Sequence, residues 1–355
     1  MEIWLPMFFE GHRHLREGEM LKFVTSEDLP LFSRIVVMPN TKVPITGAIQ
    51  MIEYRRKITD EIGTTGWPEL LLTVQITPKT TAQDVAEAHL SGAFAGKAYP
   101  FGVTNSEFGI ADFTAPGFVD VLATMQELGM PFLSHCEAPG ADVFNSERRF
   151  IPTLQQIIES FPKLPVVFEH VSTREGLEFV RRASRGGHPV FGTLTLHHAI
   201  LCRDDVFSTC VPEPELRNPH YFCKPVANSP EDRDAILEAM LSAEPYFGLG
   251  SDSAPHLGKY KEGPKPPPGI YVPPRLLCGK LAELFQAAGG DWSARLAAFA
   301  CRNAEEFHGF APTNGRLKII RRPWQVSTET ERLPVVPFLA GEIVEWDVDG
   351  MMFER

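Results

Sequence analysis

The chain has 355 residues, 43% of them hydrophobic, which is enough for one large barrel or for two to three smaller domains. A formal net charge of −11 disfavours nucleic acid and anionic membranes as general partners, because the overall field repels both. The six cysteines stand singly without a CxxC pair, and no long uninterrupted apolar stretch occurs, so we expect a cytoplasmic protein with neither a disulfide framework nor a membrane anchor.

Short β-branched or aromatic runs alternate with segments of helical period, which is typical of βα units and a parallel sheet. Such a pattern predicts a single α/β fold, a (β/α)8 TIM barrel, although a doubly wound open sheet is the alternative that strand number alone leaves open. The predicted strands are MFFEGHRHL near the start of the chain and residues 34–40, 71–77, 93–99, 131–136, 165–171, 190–196 and 246–252.

Helix-start and helix-stop signals fall between these strands. Thr81 and Ser229 are suitable N-caps, Pro230 suits a first turn, and Gly129 suits a helix end. Between the fifth and sixth predicted strands, we expect a helix that begins at Ile151, just before a proline. The predicted helices cover residues 81–92, 117–129, 151–162, 173–183 and 229–241.

Two later segments break the βα rhythm. Residues 259–275 carry six prolines and cannot form a regular helix or a central strand, so we expect an ordered excursion after the eighth strand. The tail from residue 313 predicts a small β-rich closure with a turn at Ala340–Gly341. We therefore expect one barrel domain over residues 1–355, with residues 313–355 as an extension packed on it.

Polar side chains stand at the ends of the predicted strands. In a (β/α)8 barrel these carboxyl ends form one mouth, so side chains from separate strands converge there. Each residue also has an ordinary explanation, such as a buried structural histidine or a strand-end lysine that reaches solvent. Their joint placement favours a metal site, because imidazole and carboxylate suit zinc. The residues are His12, His14, Lys97, His135, His170 and Asp252.

His12, His14 and Arg16 occupy alternate positions. In a strand they would share one face, although a solvated strand face explains an isolated His-x-His motif equally well. The lysine is the unusual member of the set, because an ammonium group has no lone pair for a metal. Lys97 fits only if it is carbamylated, which would make it an anion able to bridge two cations.

The motifs around these residues resemble those of the dihydroorotases of the amidohydrolase superfamily, in particular the single-domain homodimeric bacterial and fungal type. The resemblance runs across nearly the whole chain, and the GSDSAPH stretch with Lys261 beyond it is its most specific part. The segments that carry it are GHRHLREGEMLKFV, VVMPNTKVPIT, GKAYP, SHCE, VVFEHVST, YFCKPVAN, GSDSAPHLGKYK and VPFLAGE.

This resemblance implies a zinc enzyme that interconverts N-carbamoyl-L-aspartate and (S)-dihydroorotate in pyrimidine (UMP) biosynthesis, by attack of a metal-bridging hydroxide on a cyclic amide. It implies two zinc ions per subunit. His12, His14 and Asp252 would hold one ion, and His135 and His170 the other, with carbamylated Lys97 (N6-carboxylysine) as the bridge. Asp252 would act as general base and then as general acid.

The resemblance also implies substrate-binding positions and a homodimer. Arg16, Asn40 and His256 would bind the substrate carboxylate. The segment 100–109 would form a mobile loop over the substrate, with Thr104 as its contact. Lys224 lies where a further substrate contact is expected, although other members have leucine there.

The chain departs from the family pattern near its first histidine. Glu10 stands where the family usually has aspartate, and Arg13 stands where the residue between the histidines is usually apolar. We expect Arg13 to face away from both histidines, so its charge needs a partner.

Two alternatives remain open at this point. Another cyclic-amide hydrolase, such as a hydantoinase or allantoinase, would share the metal ligands, and a catalytically silent relative could serve as a partner subunit. His197 and His198 follow strand seven at the same mouth, where we expect structural roles. Cys136 and Cys223 lie beside proposed site residues, and we expect neither to be a ligand.

Overall fold

The structure is a computed structural model that describes residues 1–26, 29–63, 68–104, 108–208 and 215–353. Its strands in chain order are β1 (Glu2–Pro6), β2 (Phe8–Arg13), β3 (Phe32–Val37), β4 (Glu69–Ile76), β5 (Ala95–Ala98), β6 (Phe132–Ser134), β7 (Val166–Phe168), β8 (Val190–Leu194), β9 (Phe207–Ser208), β10 (Glu215–Leu216), β11 (Phe247–Leu249), β12 (Gly315–Gln325) and β13 (Ile343–Phe353).

Helices alternate with most of these strands. They are α1 (Gly18–Ser26), α2 (Ala48–Ile62), α3 (Ala82–Leu90), α4 (Pro116–Leu128), α5 (Ser146–Ser160), α6 (Arg174–Arg185), α7 (Leu196–Ile200), α8 (Arg203–Val206), α9 (Pro230–Ser242), α10 (Gly258–Lys261), α11 (Pro274–Ala287), α12 (Trp292–Ala297) and α13 (Asn303–His308). Within the described ranges, no helix is both long and apolar enough to span a bilayer.

Strands β2 to β8 and β11 form one sheet of eight parallel strands within the described part of the chain. The seam between β11 and β2 is joined just beyond the strand ends, where Arg13 and Ser253 form a parallel bridge. Two backbone hydrogen bonds cross the same seam: His14 N donates to Ser253 O at 3.1 Å, and Asp252 N donates to His12 O at 2.9 Å. The (β/α)8 barrel is thereby confirmed, and the open doubly wound sheet is wrong.

The seam depends on two glycines. A Cβ atom on Gly11 would lie 2.6 Å from the carbonyl oxygen of Leu249, and one on Gly250 would lie 3.1 Å from Cβ of His12. The first distance is shorter than real side-chain contacts and the second is tighter than most of them, so glycine at both positions lets the strands approach. The strands that carry the first histidine pair and Asp252 therefore meet closely.

The inside of the barrel is layered. A lower layer of buried apolar side chains includes Ala95, Leu133 and Val167. Two residues further along the same strands, the inward-facing positions hold Lys97, His135 and Glu169, because side chains on one face of a strand recur with a period of two. The apolar layer thus fills the bottom, and a polar layer forms the floor of the mouth; Phe9, Val36, Leu71 and Phe191 complete the lower layer.

Most predicted helix ends are confirmed. Thr81 caps α3 in a capping box, Ser229 does the same for α9, and Gly129 ends α4 in the left-handed conformation. The predicted start of α5 is wrong, because the helix begins at Ser146 and keeps Pro152 in its interior. Tertiary contacts explain the longer helix. Its first-turn residue Glu147 is buried and accepts hydrogen bonds from the segment after β7, including one of 2.7 Å from Ser172 N.

The proline-rich segment begins with the single turn of α10 and then runs without regular structure to α11. Lys261 holds it in place: its buried Nζ donates to the carbonyl oxygens of Phe222, Pro267 and Gly269 at 2.9, 3.0 and 2.8 Å. The excursion is therefore ordered by a side chain from within itself.

The tail pairs with the start of the chain. Strands β12 and β13 are antiparallel, and β1 adds to β12 as a third strand. Gly341, in the segment that connects the two tail strands, has a φ of 83°, which suits a turn. The small sheet thus takes one strand from the N-terminus, and the boundary at residue 313 stays a prediction.

Candidate active site

A cavity of about 250 Å³ opens at the carboxyl ends of the barrel strands. Ten of the eleven site residues predicted from the sequence line it, and the remaining one, Lys97, is fully buried on β5. The lining residues are His12, His14, Arg16, Asn40, Tyr99, Thr104, His135, His170, Lys224, Asp252, Ala254, His256, Pro267, Pro268 and Gly269.

His12, His14 and Asp252 form one compact group. Oδ1 of Asp252 lies 3.0 Å from Nε2 of His14 and 3.3 Å from Nε2 of His12. Possible ligand atoms of all three residues lie within 4.8 Å of one another, and all three side chains are buried. The group comes from opposite sides of the barrel seam, so the closure of the barrel assembles it.

His135 and His170 form a second group beside the first. Nδ1 of His135 lies 3.0 Å from Nε2 of His170, and their ring centroids are 4.7 Å apart. The His170 ring also lies 5.1 Å from that of His12, which joins the two groups. Four imidazoles and one carboxylate thus converge from the ends of four strands, a donor set suited to divalent metal ions.

Burial shapes the protonation of this cluster. It lowers the pKa of His14 to about 4, and it also lowers the pKa of His135 and of His170. Burial alone would raise the pKa of Asp252, but the adjacent His12 and His14 hold that pKa below its usual value. The resulting neutral imidazoles and ionised carboxylate are the forms that bind metals.

Lys97 points into the barrel at the same level. Its side chain is fully buried, and its Nζ has no hydrogen-bond partner among the described residues. The nitrogen lies 5.2 Å from the ring centroid of Tyr99, and burial lowers its pKa. An unpaired buried ammonium is costly, so the site favours a neutral or a modified lysine.

Two buried carboxylates orient the histidines, and the sequence analysis missed both. Glu169 contacts Nδ1 of His12, and Glu137 lies 2.6 Å from Nε2 of His135. Such a contact fixes the tautomer and turns the other ring nitrogen toward the cluster. The signal was present in the SHCE and FEH segments, where each glutamate stands within two residues of a proposed ligand.

Arg16 and His256 lie together at the rim of the cavity. Nη2 of Arg16 is 2.9 Å from Nε2 of His256, and burial followed by the charge of Arg16 lowers the pKa of His256 to about 3. Arg16 Nε donates to Pro255 O at 3.3 Å. Oδ1 of Asn40 is buried and has no partner among the described residues. This rim offers a guanidinium and neutral polar groups to an anion.

The simple strand argument for residues 12, 14 and 16 is wrong in detail. Strand β2 ends at Arg13, and a register shift between Glu10 and Arg13 disturbs the alternation. Arg16 reaches the cavity through a left-handed conformation, with a φ of 61°, and its carbonyl accepts a 2.7 Å hydrogen bond from the Tyr54 hydroxyl. Tertiary contacts therefore direct Arg16 inward.

Positive φ values recur at the site. Arg16, His170 and Asp252 have φ values of 61°, 42° and 45°, a region that non-glycine residues rarely adopt. Each such conformation costs on the order of 1–3 kcal/mol and persists only where surrounding contacts enforce it. The strain is concentrated where the side chains converge.

Thr104 and Lys224 approach the cavity from two loops. Nζ of Lys224 donates to the carbonyl oxygen of Val103 at 2.8 Å, which ties the loop between β10 and α9 to the segment following β5. Residues 105–107 of the expected lid lie outside the described residues, so the closure of a lid over the substrate stays a prediction.

The two departures from the family pattern are partners. Arg13 is buried, and its Nη1 lies 3.4 Å from Oε2 of Glu10. Its Nη2 donates to Val272 O at 3.3 Å, while Glu10 accepts a 2.7 Å hydrogen bond from Ser251 N across the seam. The charge of Arg13 is thus compensated behind the cavity, on the side away from the histidines.

Other residues near the mouth show different placements. Tyr99 lines the cavity and was not predicted; its hydroxyl is buried without a partner among the described residues, and burial raises its pKa. Cys136 lies beside His135, and its Sγ contacts Ser134 O at 3.3 Å. His197, His198 and Cys223 form a separate buried group behind the cavity lining.

Comparison with known proteins identifies the relatives of this chain, although no family model matches it. A dihydroorotase of Halorhodospira halophila is 37% identical over 350 residues, covering 96% of this chain and 97% of that protein. A dihydroorotase of Coxiella burnetii is 35% identical over 350 residues, covering 96% of this chain and 95% of that protein.

Solved structures of dihydroorotases also match this chain. A Saccharomyces cerevisiae dihydroorotase in complex with 5-fluoroorotic acid matches with a TM-score of 0.88 and 27% identity, covering 98% of each chain. The L-hydantoinase (dihydropyrimidinase) of Arthrobacter aurescens matches with a TM-score of 0.81 over 99% of this chain and 84% of that chain, but at 16% identity it shows the fold alone. On the identity and coverage of these relatives, the chain belongs to the dihydroorotase family.

Proposed function

We propose that the chain uses two zinc ions per subunit, one held by His12, His14 and Asp252 and the other by His135 and His170, with carbamylated Lys97 between them. The reaction is that of its family, the reversible interconversion of N-carbamoyl-L-aspartate and (S)-dihydroorotate in pyrimidine biosynthesis. This makes it a hydrolase of carbon–nitrogen bonds in cyclic amides.

The observation that carries the proposal is the state of Lys97. Its side chain is fully buried within electrostatic range of Glu169 and Asp252, and its Nζ has no hydrogen-bond partner in the described part of the chain. Carbon dioxide forms a carbamate with a neutral amine: the nitrogen–carbon bond forms and a proton leaves. Because burial lowers the pKa of Lys97, the neutral amine is more available, and the carbamate oxygens would satisfy the site.

The donor set fits a pair of divalent ions. Nε2 of His12 and of His14 faces Asp252, and Nδ1 of His135 faces Nε2 of His170. Glu169 and Glu137 contact the opposite ring nitrogens of His12 and His135, so the facing nitrogens are free to bind. When bound, the metal pair supplies a water of lowered pKa and a Lewis acid for the amide carbonyl.

Asp252 acts as the general base and then as the general acid. Its carboxylate stays ionised because His12 and His14 hold its pKa below the usual value despite burial. In ring opening, Asp252 accepts the proton of the attacking water and returns it to the ring nitrogen as the carbon–nitrogen bond breaks. In ring closure the same carboxylate takes the proton from the ureido nitrogen.

The rim binds the substrate carboxylate. Arg16 presents a permanently charged, planar fork, and Asn40 and His256 add polar groups beside it. His256 stays neutral because burial and the charge of Arg16 lower its pKa to about 3. The ligand of the yeast relative, 5-fluoroorotic acid, carries such a carboxylate.

Thr104 and Lys224 complete the substrate site in this proposal. Both line the cavity, and the hydrogen bond from Lys224 to Val103 O keeps the segment before Thr104 close to the mouth. Lys224 thereby contributes a donor and a positive charge to the cavity lining. Its side chain positions the segment before Thr104, whereas a leucine at this position could contribute only its backbone groups.

The carboxylate rim distinguishes this function from its alternatives. A hydantoinase or allantoinase acts on a ring that needs no Arg16–His256 pair, and a silent partner subunit needs no ligand set. We also expect a homodimer located in the cytoplasm; sedimentation of the purified protein would check the dimer.

The test is a ring-opening assay that follows the loss of dihydroorotate absorbance, with hydantoin and allantoin as competing substrates and metal content measured on the same sample. We expect turnover of dihydroorotate but not of hydantoin or allantoin, in protein that holds at least two zinc ions per chain. Two bound metal ions without dihydroorotate turnover would refute the substrate, and a metal-free protein that turns it over would refute the centre.

A further inference from the structure

A second group of possible metal ligands lies behind the wall of the cavity. His197 and His198 belong to α7, which follows β8, and Cys223 comes from the loop that precedes Lys224. One possible ligand atom from each lies within 4.8 Å of the others, and the side chains are 0%, 1% and 1% exposed. None of the three lines the cavity described above.

His197 is the least satisfied residue of this group. Both of its ring nitrogens are buried and neither has a hydrogen-bond partner among the described residues. Its ring centroid lies 4.5 Å from that of His198 and 6.4 Å from that of Phe338. A buried imidazole with two unmet nitrogens is unfavourable, and a cation bound to one lone pair would relieve part of that cost.

His198 can supply a lone pair without losing all of its contacts. Its Nε2 lies 3.0 Å from Pro225 O, and its Nδ1 lies 3.0 Å from Oγ1 of Thr195. A threonine hydroxyl can either donate or accept. The imidazole proton can therefore move from Nε2 to Nδ1 and donate to Thr195, which frees Nε2.

Cys223 completes the group. Its Sγ lies 3.8 Å from Nε2 of His198 and donates a hydrogen bond to Pro225 O at 3.2 Å. Burial raises the pKa of this thiol, so without a cation it is not a nucleophile. Two imidazoles and one thiol are a donor set for borderline-soft metals.

We propose that His197, His198 and Cys223 form a third metal site, which binds a zinc-class ion through two imidazole nitrogens and one thiolate. Binding forms the sulfur–metal bond and releases the thiol proton to solvent, while the His198 proton moves between its two nitrogens. Three protein ligands leave one position of a tetrahedral ion open. The site shares no residue with the proposed catalytic centre, although His197 lies within electrostatic range of Asp252.

Cobalt(II) separates the two sites spectroscopically. Only the third site contains sulfur, so only it gives a thiolate-to-cobalt charge-transfer band in the near ultraviolet. Full-length protein is stripped with a chelator and titrated with cobalt(II) chloride. We expect the intensity of this band to stop rising once one cobalt ion per chain occupies the third site, and we expect no band in Cys223→Ser. The control variant is Cys136→Ser, which removes another buried thiol, beside His135, and should keep the band.

Zinc stoichiometry gives the second readout. After gel filtration, Cys223→Ser and His197→Phe should each hold one equivalent less than the wild type, whatever number the catalytic centre holds. A band that survives in Cys223→Ser, or a wild type with no band, overturns the third site and leaves the proposed function untouched. If Cys223→Ser does not fold, loss of the band in His197→Phe decides the question.

Discussion

Histidines lie at both ends of the barrel, but in opposite surroundings. At the bottom, the His308 ring lies 5.0 Å from that of Phe94 and 4.8 Å from that of Phe307, two aromatic side chains that pack against the apolar layer. At the mouth, His12 and His135 each contact a carboxylate as well as other imidazoles. Burial of a histidine therefore says little about function, whereas the partners of the histidine say much.

The difference follows from strand geometry and from strain. Inward-facing positions two residues apart change from apolar at the bottom to polar at the mouth, as in Ala95 and Lys97. The positive-φ residues Arg16, His170 and Asp252 lie at the mouth. We therefore expect substitutions at the mouth to change activity and substitutions at the bottom to change stability.

The largest effect is expected from Lys97→Ala. Without the bridging carbamate, ring opening should fall by about 10³-fold or more, since the metal pair would lose its shared ligand. The folded structure should persist, because the variant removes a buried nitrogen that has no partner in the described part of the chain. The assay follows dihydroorotate absorbance with and without short-chain carboxylic acids.

Rescue of Lys97→Ala by a carboxylic acid would locate the missing group. Retention of wild-type activity and of wild-type metal content in this variant contradicts the bridge. Thermal unfolding of the same sample serves as the control for folding.

At the bottom, Phe191→Ala should cost about 3–5 kcal/mol in the free energy of unfolding, because it empties part of a packed core. Phe191 is 1% exposed and stacks on Phe307 with ring centroids 4.8 Å apart. Urea denaturation measures the change, and kcat per folded molecule should stay near that of the wild type. The matched control is Leu90→Ala, at a side chain that is 84% exposed, for which little change is expected.

A smaller effect is expected from Arg16→Met. Loss of the guanidinium should lower kcat/KM for dihydroorotate by about 10²-fold, mainly through KM, because it removes a charge-assisted pair with the substrate carboxylate. A cyclic amide without a carboxylate should show no such loss. An equal loss for both substrates would mean that Arg16 supports the structure rather than the carboxylate.

The smallest effect concerns pH and His308. Burial lowers its pKa to about 4, so between pH 6.5 and 4 the unfolded chain takes up a proton that the folded chain does not. Stability should therefore fall as the pH falls through this window. In His308→Asn that dependence should be weaker by at most one proton, which is about 1.4 kcal/mol per pH unit. The free energy of unfolding is measured by urea denaturation at several pH values, and a pH dependence equal to that of the wild type would contradict the prediction.

Much of the fold and the site could be predicted because the signals are local. Apolar runs mark the strands, and the polar residues at their ends, such as Lys97 and His135, stand next to them in the sequence. A barrel brings such ends together whatever its loops do. The family motifs then indicated the pairing of ligands and the carboxylate-binding rim.

Interactions between distant segments could not be predicted from a local pattern. The start of α5 depends on contacts of Glu147 with the segment after β7, and the left-handed conformation of Arg16 depends on neighbours such as Tyr54. The compensation of Arg13 by Glu10 required the register shift in β2. Each outcome reflects a partner that only folding supplies.

By itself, then, the sequence determined the order of strands and helices, the family, and the residues that gather at the mouth, because hydrophobic periodicity and motif spacing are properties of short segments. Only the tertiary structure decided which carboxylates orient His12 and His135, and that Cys223 lies beside His197 and His198. Those contacts join residues far apart in the chain, where the packing of the barrel sets the distances.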